Sequence, residues 1–460
     1  MKREFLLPPQ KMKYLKWLLS AIAGSLFFFN TYSMTLYAHN LKHLLKDNRI
    51  ALGGWINGGV TLNPSQKNGF NGPVIMADQA NRFQLNQLNL FMQRAVVSEG
   101  NTWDFGGRFD FMFGTDAVFT QAFGVPTLDV NSGKPLKRSN WDLDLCCDSS
   151  RTYGIALPQA YLEAHVPVGN GLNVKLGHFY SPMGYETVPA SAPDNFFYTR
   201  AYNLNVGEPF THTGLLSEYK LNKNWSIIGA AVTGSANGGW DGGWDKQLGN
   251  WSGVAGFNWT SDNHLTSLKV IGSYGETSTR SSEPWATYNI VLKHRINPKT
   301  SLALHHVWGY AGGVLLDNPK YTNVIKDTQW INLMAYLYYD ITDNVSVGVR
   351  GEWFRDRDGS RNPSPFRIAV TTNIVNGKAV SPAGDPNRVT IMPADYYSTT
   401  VGVNWKAAKT LKLKSDLMRK LTIRSNIRYD RVDAYHAPAY RPFAGNKDQV
   451  LFSLDFILPF

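Results

Sequence analysis

From Ile50 to the last residue the chain repeatedly alternates apolar and polar side chains with a period of two. Successive residues of a strand point to opposite faces, so this pattern demands strands whose two faces meet different media. The clearest run is 103–115. Trp103, Phe105, Gly107, Phe109, Phe111 and Phe113 share one face, while Asp104, Gly106, Arg108, Asp110, Met112 and Gly114 share the other. In 345–356 the outward set is Val345, Val347, Val349, Gly351 and Trp353, against Ser346, Gly348, Arg350, Glu352, Phe354 and Asp356. Leu421, Ile423, Ile427 and Tyr429 likewise oppose Thr422, Arg424, Asn426, Arg428 and Asp430.

The medium on the apolar side follows from what the chain lacks. A spanning helix needs about 20 consecutive apolar residues, and beyond the first forty positions no such run occurs. Mean hydropathy is −0.27 although aromatics reach 13%. A transmembrane barrel needs strands of only about 9 to 11 residues, of which every second meets lipid. Trp225, Trp251, Trp259, Trp308, Tyr310, Trp353 and Trp405 stand at strand ends, where an interfacial girdle belongs.

Taken together, the runs predict sixteen strands, within a range of roughly 14 to 18. They lie at 50–62, 82–97, 103–115, 153–166, 172–180, 212–221, 224–234, 250–260, 266–275, 286–296, 300–310, 328–340, 344–356, 395–406, 419–431 and 448–459. Tight links at 168–171, 222–223, 261–263, 297–299 and 341–343 alternate with long ones at 63–81, 116–152, 181–211, 235–249, 311–327, 357–394 and 432–447. A two-sheet sandwich has no reason to keep that order. The expected fold is all-β, a single transmembrane antiparallel barrel over 49–460 with short periplasmic turns and long extracellular loops. The link 406–420 departs from the scheme as a basic insertion on the short-turn side.

Lys2, Arg3, Lys11, Lys13 and Lys16 followed by the apolar stretch Trp17 to Phe29 read as an export signal at 1–38, with 39–48 a short periplasmic segment. The formal net charge of +11 is spread along the chain, without the basic runs or aromatic ladders of a nucleic-acid binder. The only cysteines are Cys146 and Cys147, so no haem or zinc framework exists and no metal or cofactor is expected. The pair reads as a loop feature or, in an oxidising compartment, a strained vicinal disulfide.

A barrel of about sixteen strands encloses an aqueous channel, so passive permeation of small hydrophilic solutes is the expected function. Inward faces carry Arg108, Lys175, Lys269, Lys293, Arg295, Arg350, Arg424 and Arg428 against Asp104, Asp110, Glu163, Glu352, Asp356 and Asp430, which implies a weak anion preference. The long link 181–211, with Glu186, Arg200 and Glu208, is a candidate constriction. Its acids, facing Arg350, Arg424 and Arg428, would set a transverse field; the competing readings are a surface cap and, for Arg350 with Glu352 or Arg108 with Asp110, ion pairs that only stiffen the wall. Expected partners are outer-membrane lipid, lipopolysaccharide and a homo-oligomer by analogy with general porins. Two other functions compete: a surface-exposed adhesion or sheath barrel acting through its loops, and an outer-membrane enzyme. No nucleophile elbow or zinc motif supports a catalytic residue, and neighbouring His305 and His306 must point to opposite faces.

Several stretches resemble the putative β-barrel porin-2 family, the OmpL-like outer-membrane proteins. They are Gly107-Arg108-Phe109-Asp110 with Gly114-Thr115-Asp116, then Gly177-His178-Phe179-Tyr180 through Gly184-Tyr185-Glu186, then Glu208-Pro209-Phe210-Thr211-His212-Thr213-Gly214, then the run from Gly351 to Gly359, and Ile427-Arg428-Tyr429-Asp430. The resemblance implies a porin-like barrel and an outer-membrane location more than any particular cargo. Arg424-Ser425-Asn426 departs from the family's usual Arg-Pro-Glu.

Overall fold

The computed structural model describes residues 45, 47–98, 101–120, 152–233, 251–276, 284–318, 320–362, 364, 367, 373–375, 378–380, 391–411, 415 and 417–460. The expected signal 1–38 and the Cys146–Cys147 pair lie outside them. The chain divides into two compact units, 1–51 and 52–460, and the second is the barrel.

The alternation becomes strands β1 (Ile50–Leu62), β2 (Phe83–Arg94), β3 (Asp104–Gly114), β4 (Gly154–Val166), β5 (Leu172–Tyr180), β6 (Thr211–Lys220), β7 (Trp225–Thr233), β8 (Trp251–Thr260) and β9 (Thr266–Glu276). There follow β10 (Pro284–Asn297), β11 (Thr300–Asn318), β12 (Tyr321–Thr342), β13 (Val345–Asp356), β16 (Ala394–Lys406), β17 (Thr422–Ala434) and β18 (Asp448–Pro459), with a small hairpin, β14 (Asn373–Val375) and β15 (Lys378–Val380), between β13 and β16. The sixteen strands other than β14 and β15 form one closed barrel in chain order. Closure comes where β18 meets β1 antiparallel, Trp55 opposite Pro459 and Leu62 opposite Phe452. Phe460 and Gly54 then exchange two backbone hydrogen bonds of 3.0 and 3.2 Å, so the last residue seals the seam although Pro459 has no N–H to give.

Both faces appear as the pattern requires. Phe105, Leu162, Leu176, Leu333, Val401, Ile427, Phe452 and Leu454 are exposed on the outside, an apolar surface far too extensive for contact with water. Arg350, Asp356, Arg424, Arg428 and Asp430 on the inside are buried among other protein groups. Trp225 pairs with Trp259 at the short-turn rim, while Trp353 pairs with Tyr397 near the long-loop rim.

The expected loop 311–327 is mostly strand. β11 and β12 continue as a hairpin that pairs Val314 with Lys326 and Leu316 with Val324, beyond an irregularity between Ala311 and Val314. Gly312 and Gly313, the latter at φ +63°, read in sequence as a strand end; in the fold they form a bulge that bends the ladder without ending it. Apolar and polar residues alternate poorly over 82–97, and the cause is local: neighbouring Asn86 and Gln87 are both buried, and both donate to the Asp116 carboxylate at 2.9 Å. Within 406–420 the described residues include two short helical turns, Ala407–Thr410 and Leu417–Lys420, and β17 begins after them.

Candidate functional site

Three inward-facing arginines define the centre of the barrel: Arg350 on β13, and Arg424 and Arg428 on β17. Residues 181–210, between β5 and β6, run past them inside the wall. Arg424 donates to the Asn195 carbonyl at 2.6 Å, Arg350 to that of Thr199 at 2.9 Å, and Arg428 to that of Arg200. Along the loop the anchors come from β17, then β13, then β17 again, so residues 195–200 are held between these two strands. An arginine suits this work because its fork reaches a backbone carbonyl with one N–H while another holds a carboxylate.

The carboxylates are close. Arg350 donates to Glu186 at 2.6 Å, Arg424 to Asp455 at 2.6 and 3.0 Å, and Arg428 to Asp430 at 2.8 Å. Glu352, beside Arg350 on β13, accepts from the backbone N–H groups of Tyr202 at 2.8 Å and Asn203 at 3.0 Å, where the helical turn Asn203–Gly207 begins. A carboxylate at the start of a turn satisfies donors that the turn itself cannot reach. Asp356 does the same for the segment after β13, accepting from the N–H groups of Gly359, Ser360, Arg361 and Asn362 at 2.8 to 3.0 Å. Arg361 then bonds the Val206 carbonyl and lies 4.5 Å over the Trp330 ring, while Trp330 donates to the Gly207 carbonyl at 3.1 Å.

Seven of the residues singled out in the sequence therefore gather on or beside one loop: Glu186, Arg200, Glu208, Arg350, Glu352, Arg424 and Arg428. Burial alone would raise the Glu186 carboxyl, but Arg350 and Arg200 hold it below its ordinary range. Arg200 donates to the Phe197 carbonyl at 2.8 Å, and its Nε has no hydrogen-bond partner. Burial, then the charge of Arg424, lowers it to about 10. Glu208 sits against the backbone of Gly184, and burial pushes its carboxyl up to about 8. Arg108 and Asp110 form a separate pair on β3, bonded at 2.5 and 2.9 Å, with the guanidinium 4.4 Å over Phe91.

His305 and His306 face opposite ways, as neighbours on a strand must. His305 is buried and meets Asn289 at 2.7 Å; His306 meets the Tyr288 hydroxyl at 3.1 Å. The partners that sequence reading missed are chiefly uncharged or lie on strands read for their other face. Asp455, opposite Arg424 in the β17–β18 register, belongs with Gln449 and Ser453 to an inward row on β18 that period two does disclose. Asn195, whose amide bonds the Thr187 and Pro189 carbonyls at 2.7 and 2.6 Å, gives no such sign.

Away from the arginine anchors, the interior side of β4, β5 and β8–β10 carries the more accessible charges. Lys293 meets Asp194 at 3.2 Å and Lys175 meets Glu163 at 3.7 Å. Lys269 donates to the Pro182 carbonyl at 3.0 Å. Tyr185, Asp194, Asn258, Lys269 and Lys293 line a cavity of about 230 Å³ between the loop and this wall.

A sixteen-stranded closed barrel, apolar outside, polar inside and crossed by an internal loop, is the architecture of an outer-membrane porin. The chain belongs to the family described as Putative beta-barrel porin-2, OmpL-like, whose model matches residues 49–460. Among solved structures it is similar in fold to Pseudomonas putida OprB, at 13% identity and TM-score 0.52, over 91% of this chain and 96% of that one. The outer membrane channel DcaP of Acinetobacter baumannii is similar at 10% identity and TM-score 0.50, over 89% of this chain and 97% of that one. No curated protein sequence matches it. The protein is a porin channel of the bacterial outer membrane.

Proposed function

We propose that solutes pass between the internal loop and the wall formed by β4, β5 and β8–β10, and that the loop narrows this passage for small hydrophilic molecules. The observation that carries the reading is the capture of residues 195–203 by Arg350, Glu352, Arg424 and Arg428, which commits the loop to the opposite wall. Each of these arginines spends its charge on a carboxylate or a carbonyl, so the field at the passage falls to the less buried groups. Lys175, Lys269 and Lys293 against Glu163, Asp194 and the Glu218 carboxylate, itself bonded by Ser226 at 2.6 Å, leave a near balance. At the cavity itself Lys269 and Lys293 face Asp194, while Glu218 is not among its lining residues, so a weak anion preference is assigned to Lys269, which bonds a carbonyl rather than an acid. Residues 1–38 act as the export signal in this reading, and the barrel works in contact with outer-membrane lipid and lipopolysaccharide, as a homo-oligomer. A channel rather than an enzyme accounts for the polar interior.

Purified protein added to a planar bilayer is expected to open discrete conductance steps, and a salt gradient to give a small reversal potential of anionic sign. Absence of conductance steps refutes the pore. A reversal potential of cationic sign refutes the preference alone.

A further inference from the structure

The charges that line the lumen leave one basic cluster unexplained, because it faces outward. Arg355 and Arg357 follow Trp353 on the outer face of β13 and its extension, and with Lys320, Gln329, Ile331, Tyr435 and His436 they line a cavity of about 390 Å³. The wall below it is apolar: Leu333, Tyr397, Val401 and Ile427 are exposed there. Along β13 the outward run from Val345, opposite Trp405, to Trp353, opposite Tyr397, covers eight residue steps. At roughly 3.3 Å per residue that is about 26 Å along the strand, or about 20 Å of membrane depth at a typical tilt of about 40°. The lipid-facing band of such barrels is about 25 Å tall. Arg355 and Arg357 therefore stand where hydrocarbon gives way to the headgroups of the outer leaflet.

The cavity's own chemistry names the headgroup. Two nitrogens of Arg355 are held by Asp395 at 2.8 and 2.9 Å, with the guanidinium 5.1 Å over Trp353, which fixes it in place without covering it. Arg357 donates to Gln329 at 3.2 Å and is otherwise exposed. Lys320 lies 4.9 Å over the Tyr321 ring. Among the described residues none of those lining the cavity is a carboxylate, so after Asp395 offsets Arg355 the charges of Arg357 and Lys320 remain there. Arginine forks and an ammonium in a partly dehydrated setting suit phosphate oxygens.

We propose that this outward cavity binds a phosphate group on the sugar headgroup of an outer-leaflet glycolipid, as in lipopolysaccharide. The site rests on the outer-membrane reading for its depth, but it is separate from the lumen and from conduction. Arg355 and its Asp395 partner form the fixed wall; Arg357 and Lys320 supply the net positive charge; Tyr435 packs against the sugar.

The test uses the full barrel in non-ionic detergent, with Arg357→Gln/Lys320→Gln as the variant. Native mass spectrometry compares bisphosphorylated lipid A, the same lipid dephosphorylated, and inorganic phosphate alone. The expected result is retention of the bisphosphorylated lipid at least tenfold above the dephosphorylated form, a tenfold loss in the double variant, and no comparable binding of inorganic phosphate. Equal retention of the two lipids, or unchanged retention by the variant, overturns the proposal. Binding of inorganic phosphate as tight as that of the lipid also overturns it, since the site would then serve a soluble anion. Conductance of the double variant is expected to match the parent. A failure of the lipid site with conductance intact leaves the porin reading standing, whereas loss of conductance in the parent itself is a failure of that reading.

Discussion

Arg350 and Glu186 meet at 2.6 Å inside the barrel although one belongs to strand β13 and the other to the loop after β5, 164 positions apart in the chain. The pair is buried, and Arg350 also donates to the Thr199 carbonyl and, at 3.0 Å, to Thr400. One side chain thus ties the loop at two places and two strands to each other.

Arg350→Met is expected to destabilise the barrel by about 3 to 5 kcal/mol, because Glu186 is left charged and buried without its cation. Replacing both, as Arg350→Met with Glu186→Met, is expected to cost less than the single change. Thermal unfolding in detergent, followed by the heat-induced shift in gel mobility, measures both. Single-channel records of Arg350→Met should also be noisier as the loop loosens. A double variant that is less stable than the single one contradicts the pairing.

Glu352→Gln keeps the shape of the side chain and removes the charge that holds the N–H groups of Tyr202 and Asn203. Hydrogen bonds to a charged group are worth about 1.5 to 3 kcal/mol against about 1 for neutral ones, so the expected loss is about 1 to 2 kcal/mol. Amide exchange at Tyr202 and Asn203 should accelerate while exchange in β18 stays unchanged.

Glu208 gives the protein a pH dependence of defined sign. Its folded pKa of about 8 lies above the ordinary carboxylate range, so between that range and about pH 8 the folded state keeps a proton that the unfolded chain has released. Stability from this group therefore falls as pH rises through that window and levels off above about 8. Melting temperatures of the parent are expected to decline from pH 5 to pH 8, and Glu208→Gln is expected to flatten that decline. An unchanged slope in the variant would contradict the assignment.

Gly184 must remain without a side chain. Its φ is +82°, and an added Cβ would overlap the Glu208 carboxylate. Gly184→Ala is expected to displace the start of the loop, lowering the melting temperature by several degrees and changing unit conductance. The changes should be relieved in part by Glu208→Ala, which opens the space.

Lys269→Gln is expected to shift the reversal potential toward cations, more than Arg428→Gln does, because Arg428 is committed to Asp430 and to the Arg200 carbonyl. The same salt-gradient recording compares the two. A larger shift from Arg428→Gln would place the passage along the β17 wall instead.

The barrel was legible because its wall obeys a local rule. Trp353 and Arg350 differ in the medium they face, and period two reports that difference without any knowledge of partners. The strand bounds of β5 and β18 follow directly, whereas β11 and β12 run past Gly312 and Gly313 because a ladder tolerates a bulge that composition reads as an end. The loop charges were legible as a group but not as a mechanism. Opposite charges facing across an eyelet and opposite charges in contact look the same in a sequence; the contact of Glu186 with Arg350 makes them anchors of the loop.

What the sequence determined by itself is therefore what depends on neighbours along the chain: the strands, their two faces, the lipid-facing girdle and the alternation of short and long links. The tertiary structure alone decided which way residues 181–210 turn, which carboxylate each arginine takes, and that Arg355, Arg357 and Lys320 line one outward cavity. Those choices join residues up to hundreds of positions apart, as Asn57 joins Asp455 across the seam at 2.7 Å. Such contacts carry no periodicity, because the pairing of distant side chains is set by closure of the barrel and not by the order of residues along any one strand.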